Sequence, residues 1–228
     1  MLIQRNFSRR ANDIEETFKL ISFILNVESH RNIPIVHIES KSELYITQEM
    51  QCALKAEFLI LLYNIVESTI CDCLNSLYDS IADEGLTYAD LSDDMKRMWR
   101  NYLKRTSNPD KTKTDSELMN HPIRFEHIAI NISGSLDIRK IIEVFSKHGC
   151  CLDEKNREKY SNSFLVVKNK RNNLAHGNIS FSECGSFYMV SDLKKYKEDI
   201  LMGLQEVVIQ VRDHISKQKY KITTTSVI

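Results

Sequence analysis

The sequence predicts an all-α fold, an up-and-down helical bundle of about four to six helices with an irregular insertion around residues 106–135. Three observations carry this expectation. The 228 residues include only 6 Gly and 3 Pro, so little of the chain is suited to turns. Apolar side chains recur at steps of three and four through most long segments. No apolar run reaches the roughly 18 residues that a membrane span requires, so the bundle is expected to be soluble. A hydrophobic content of 42% suffices for one sizeable core, and residues 1–228 are read as a single domain ending in a flexible tail over 221–228.

The elements follow in order. Ile14, Phe18, Ile21 and Leu25 share one helical face and predict a first helix over about residues 11–29, followed by a loop with Pro34. From Thr47 onward, ALKAEFLILLYNIVESTICDCLNSLYDSI is apolar around most of its circumference. A helix in the middle of a bundle has that pattern, and this one should end near Gly85. Ser92, with Asp93 and Asp94 behind it, suits the start of a third helix carrying Trp99 and many cations, because acidic side chains complement the positive end of a helix dipole. Asn108-Pro109, His121-Pro122 and Gly134 break regularity across the insertion.

Asp137 then caps a helix through Ile141, Val144 and Phe145 that stops at Gly149. Another helix runs from about Glu154 to Ala175 and ends at Gly177. The last long helix carries a narrow stripe of Leu201, Leu204, Val208, Val211 and Ile215. No internal repeat or low-complexity segment is evident.

Charge and cysteine usage exclude several functions. With 31 basic and 31 acidic side chains the net charge is zero, so no global field attracts nucleic acid and any polyanion site must be local. Two segments supply local positive charge. Residues 96–113 carry Lys96, Arg97, Arg100, Lys104, Arg105, Lys111 and Lys113 against Asp110, and residues 155–171 carry six cations against Glu158. Such runs are also what solvated helix faces look like. The six cysteines show no C-x-x-C pair and no companion histidines at zinc spacing, so no metal site and no cofactor is expected. They read as reduced thiols packed as small hydrophobes in a cytoplasmic protein, since no signal-peptide pattern opens the chain. Cys150 and Cys151 follow His148 closely, yet no second orienting group accompanies them as a thiol nucleophile would need.

One segment concentrates chemistry. KNKRNNLAHGN, residues 168–178, places Arg171, Asn172, Asn173 and His176 just before Gly177. Tyr160, Phe164, Val167, Arg171 and Leu174 advance by four, three, four and three, so Arg171 falls on the core stripe and needs either a carboxylate such as Glu67 or a polar opening. Asn172 and His176, four apart, share a face, so the amide can orient the imidazole. At 100° per residue Arg171 and His176 stand about 140° apart, and they converge within one chain only if the last turn loosens at Gly177. His176 in the final turn faces the negative end of the dipole, which favours the imidazolium. The same residues also make an ordinary helix C-terminus whose cations cap carbonyls.

Arg171-Asn172-Asn173-Leu174-Ala175-His176 resembles the R-x-x-x-x-H signature of the HEPN superfamily, with the polar residue typical after the arginine. LLYNIVESTI at 61–70, SGSLDIRKIIEVFSKHG at 133–149 and KNKRNNLAHGNISFSECG at 168–185 resemble the MAE-type branch of HEPN-like nucleases. The resemblance covers nearly the whole chain. It implies a metal-independent endoribonuclease that cleaves single-stranded RNA with the ribose 2′-hydroxyl as nucleophile, leaving a 2′,3′-cyclic phosphate. Arg171, His176 and Asn172 would be the catalytic residues, with Lys168, Lys170 and Asn173 binding substrate and Glu67 and Tyr63 supporting them.

It also implies a homodimer whose two motifs share a cleft, and a setting among toxin-antitoxin or phage-defence proteins with an antitoxin or neighbouring defence protein as partner. Alternatives stand beside each role. Glu67 either takes part directly or only neutralises Arg171, Lys168 and Lys170 either hold phosphates or are solvated, and Tyr63 is either a bundle residue or a base-stacking platform. The whole chain could instead be a non-catalytic HEPN interaction or dimerisation module that binds a nucleotide or a partner protein.

Overall fold

Thr47 fixes the start of the longest helix. Its hydroxyl accepts the Met50 N–H at 3.2 Å, and α2 (Gln48–Asp83) runs from there until Gly85 adopts φ +62°. The computed structural model describes residues 2–26, 35–106, 109–125 and 136–222, and these show eight α-helices and one short antiparallel strand pair. As its apolar circumference requires, α2 is surrounded: α1 (Leu2–Asn26), α6 (Lys155–Ala175), α7 (Phe181–Ser186) and α8 (Val190–Ser216) all pack on it. Leu59, Leu62, Tyr63, Ile70, Cys73, Leu74 and Ile81 form the middle of a continuous buried cluster to which the other long helices contribute.

The first helix begins nine residues earlier than its spacing suggested, because Ile3 and Phe7 extend the apolar stripe of Ile14, Ile21 and Leu25. Residues 27–34, and with them the expected helix end at Ser29 and the Pro34 loop, lie outside the described residues. Glu15 of α1 meets the buried Lys197 of α8 at 2.5 Å, and Gln4 is hydrogen-bonded to Gln205 and Arg212. The α8 stripe is broader than expected. Leu193, Lys197, Ile200, Val207 and His214 are buried as well as Leu204, Val208, Val211 and Ile215, because α8 faces α1, α2 and α6 together.

Ser92 caps α3 (Asp93–Arg105) and Asp137 caps α5 (Ile138–Lys147), both as expected, and α5 packs on α6. Gly149 closes the α5 turn at φ +71°. The described part of the insertion, residues 109–125, is less irregular than its breakers suggested. Residues Pro109–Thr112 form a 3-10 turn, α4 (Asp115–Leu118) follows, and Thr87 pairs with Pro122; residues 107–108 and 126–135, and with them Asn108 and Gly134, lie outside the described residues. Arg100 holds this segment in place through Asp115 and the Lys113 carbonyl, while its guanidinium stands 5.6 Å from the Tyr88 ring centroid. Part of the 96–113 cation run is thus consumed inside the fold, as Lys113 and Asp110 also pair at 2.6 Å.

Two elements had no counterpart in the sequence reading: the pair of strands β1 (Ile35–Val36) and β2 (Glu43–Leu44), and α7. At the other end, Lys221 bridges Leu91 and the Ile222 N–H reaches the Asp90 carbonyl at 2.9 Å, so these first two residues of the expected tail are hydrogen-bonded, and 223–228 lie outside the described residues. No helix among the described residues is long and apolar enough to cross a membrane.

Candidate active site on helix α6

The stripe on α6 places the motif. Tyr160, Phe164, Val167 and Leu174 are buried, and Arg171, on the same face, comes to the rim half-exposed. Gly203 of α8 makes this close approach possible, because a Cβ there would lie 3.0 Å from the Phe164 ring and 3.1 Å from Tyr160. The Arg171 guanidinium settles over the Tyr63 ring, 5.0 Å from its centroid, with Nη2 3.8 Å from Glu67 and Nη1 donating to Asn172 Oδ1 at 3.3 Å. A cation on the core stripe therefore finds the carboxylate expected for it, at long range, and an aromatic face in addition.

Tyr63 is 1% exposed and its hydroxyl accepts the Leu136 N–H at 3.1 Å. Burial pushes its phenol up to about 12, with the Glu67 charge adding and the Leu136 bond and the Arg171 charge opposing. It is a bundle residue beneath the arginine, and a base cannot stack on it because the guanidinium and α2's neighbours already cover it.

Lys168 points away from Arg171, toward α5. Its ammonium meets Asp137 Oδ2 at 2.7 Å, and Asp137 Oδ1 simultaneously caps α5 by accepting the Lys140 N–H at 3.0 Å. Burial would raise the Asp137 carboxyl, but Lys168, the Lys140 N–H and Arg139 outweigh it and hold the group below the usual carboxylate value. Lys168 is thus neither solvated nor open to a phosphate. Its partner lies 31 residues away and carried only a capping signal in the sequence. Lys170 leaves α6 on another side and stands 5.0 Å from the Phe187 ring centroid and 5.7 Å from that of Tyr188. Neither aromatic was marked out by the sequence.

The helix end differs from one expectation. The last turn does not loosen: α6 stays α-helical through Ala175, His176 is its exposed C-cap, and Gly177 takes φ +68°. Asn178 N–H reaches the Asn173 carbonyl at 2.9 Å and Gly177 N–H the Leu174 carbonyl at 3.1 Å, the paired bonds of a glycine-ended helix. Arg171 and His176 therefore keep the wide angular separation of a regular helix and do not meet within one chain. Asn172, which was expected to orient the imidazole, instead accepts from Arg171. Asn173 is exposed beside it.

Elsewhere, His148 is removed from any role toward the adjacent thiols. Its Nδ1 faces the Val144 carbonyl at 2.7 Å and its Nε2 the Tyr78 hydroxyl at 2.7 Å, while burial pushes the Cys150 thiol up to about 12. All six cysteines are free, four of them buried. Among the described residues, no group of three or more His, Cys, Asp or Glu side chains is gathered as a metal site would need.

The family model for HEPN_MAE_28990-like HEPN proteins matches residues 2–220. The chain belongs to this HEPN family. No curated protein and no solved structure matches it. The eight α-helices of the described residues agree with the all-α bundle expected from the sequence. Membership in the HEPN superfamily points to a nuclease or a nucleotide-binding module, and Arg171 and His176 occupy the two ends of the signature within the matched span.

Proposed function

We propose that this HEPN protein is a metal-independent endoribonuclease that cleaves single-stranded RNA by attack of the ribose 2′-hydroxyl. In that step a base removes the 2′-hydroxyl proton, O2′ bonds to phosphorus, and the P–O5′ bond breaks. An acid returns a proton to O5′, leaving a 2′,3′-cyclic phosphate and a 5′-hydroxyl. His176 supplies the proton transfers, Arg171 the charge for the phosphorane-like transition state, and Asn172 holds Arg171.

The observation that carries this reading is the contrast between two side chains of one helix. Arg171 is pre-positioned on Tyr63 near Glu67, and His176 stands exposed as the C-cap of the helix. One exposed imidazole cannot serve as both base and acid in a single event, and a regular α6 keeps it away from its own arginine. Two copies related by a two-fold axis remove both difficulties, since Arg171 of one chain then meets His176 of the other. The active unit in this reading is a homodimer, acting as a toxin or phage-defence effector in the cytoplasm, with an antitoxin or neighbouring defence protein as partner.

The deciding experiment incubates labelled single-stranded RNA with the purified protein in EDTA, beside Arg171→Ala and His176→Ala. Cleavage to cyclic-phosphate ends by the wild type and its loss in both variants is expected. No cleavage by the wild type, or equal cleavage by all three, overturns the reading and leaves the non-catalytic HEPN module in its place. Full specific activity from a dilute monomer would overturn the dimer.

A further inference from the structure

We propose that Phe187, backed by Lys170, is a base-stacking platform for an unpaired nucleotide of the RNA strand, on the side of His176 away from Arg171. This rests on the ribonuclease reading. Phe187 is 68% exposed at the C-terminal end of α7, and Met189, two residues on, is 73% exposed. One flank of this surface carries a cation, the Lys170 ammonium 5.0 Å from the Phe187 centroid.

The backbone that carries Phe187 is held against α2. Gly185 lies so close to α2 that a Cβ there would fall 1.8 Å from the Cys52 carbonyl oxygen, and Lys55 Nζ donates to the Tyr188 carbonyl at 2.9 Å. The two acidic side chains nearest in sequence are occupied with the backbone, Glu183 accepting the Ser180 N–H and Asp192 the Met189 N–H, each at 2.8 Å.

Its position follows from α6. At 100° per residue, the outward arc of the helix runs from Arg171 through Asn172, His176 and Asn173 to Lys170. A strand crossing this end of α6 has Arg171 on one flank, His176 in the middle, and Lys170 with Phe187 on the other. An exposed aromatic ring beside an ammonium suits a nucleobase and its phosphate together, and any unpaired base can stack there.

The test uses labelled 2′-O-methyl RNA, which lacks the attacking hydroxyl and so binds without being cut. Phe187→Ala should bind about 5- to 150-fold more weakly than wild type, the range for losing one stacked base. Phe23→Ala, which removes an equally exposed phenylalanine from α1, should bind as the wild type does. Phe187→Trp should keep the affinity, and its indole fluorescence should be quenched on binding against the buried Trp99 background. Equal binding by wild type and Phe187→Ala, or an unquenched Phe187→Trp, overturns the platform while leaving the nuclease reading intact. Failure of the wild type to bind RNA at all removes both. A change of oligomeric state in Phe187→Ala with unchanged affinity per active unit assigns the surface to a protein contact and overturns the platform.

Discussion

The guanidinium of Arg171 rests 5.0 Å from the centroid of the Tyr63 ring, whose hydroxyl accepts the Leu136 N–H just before α5. The arginine is seated on a side chain fixed between two helices, so its planar shape matters as well as its charge. Arg171→Lys keeps the charge but loses the stacked fork, and RNA cleavage is expected to fall about tenfold or more with little change in melting temperature. Comparing cleavage rates and thermal melts of the two proteins checks this.

Lys168 was a candidate for phosphate contact, and its bond to Asp137 assigns it a structural task. Lys168→Met leaves a largely buried carboxylate with a lost partner, and should destabilise the protein by about 1–3 kcal/mol in urea titration. Because the Asp137 carboxyl is held below its ordinary value, that contribution is present at neutral pH and disappears as acid titrates the folded group. If Lys168→Met lowers RNA affinity without moving the unfolding midpoint, the structural assignment is wrong.

Two buried histidines set an acid limit. Burial, with the Lys219 and His148 charges, lowers His214 to about 4, opposed by Asp213, and burial lowers His148 too, with Lys147 adding and the Val144 carbonyl opposing. Since a carbonyl can only accept, His148 carries its proton on Nδ1 and takes the Tyr78 O–H at Nε2, a neutral tautomer with both nitrogens satisfied. Both groups bind protons more readily unfolded than folded. Their stabilising effect is therefore complete above about pH 6.5 and declines as pH falls toward the folded values. Melting temperature should hold from pH 7.5 to about pH 6.5 and drop from there to pH 4.5, and His214→Phe should flatten the lower part of that curve.

Two glycines make opposite demands. Gly185→Ala forces α7 away from the Cys52 carbonyl and should cost about 3 kcal/mol or more, disturbing Phe187 with it. Gly177 has open space around its α-carbon and only its φ of +68° to protect, so Gly177→Ala should cost about 1–2 kcal/mol. Chemical denaturation of both variants tests the ranking, and a larger loss at Gly177 would contradict it.

The sequence was informative wherever a local rule applied. Ser92 and Asp137 each cap the helix that their residue types and positions suggested, Thr47 caps the long helix expected to begin there, and Gly85, Gly149 and Gly177 each close one at positive φ. The Arg171–Glu67 approach was also legible, since a cation on a core stripe requires a carboxylate from a neighbouring helix. Contacts between distant segments were not. Nothing local in Lys168 or Lys170 distinguishes an ammonium bound to Asp137 from one lying against Phe187 or from one in water. Likewise α7, six residues long with a glycine inside, has too short a period to read; its Ser180–Glu183 capping box was its one sequence signal.

The clasp between the first and last helices governs how the protein comes into being. Gln4 with Gln205 and Arg212, and Glu15 with Lys197, join residues 182 to 208 positions apart. At about 5–20 residues per second of synthesis, α1 exists for roughly ten to forty seconds before α8 can close this clasp. Until then α1 has α2 to pack on, so the seam between α1 and α8 is the last part of the bundle to form.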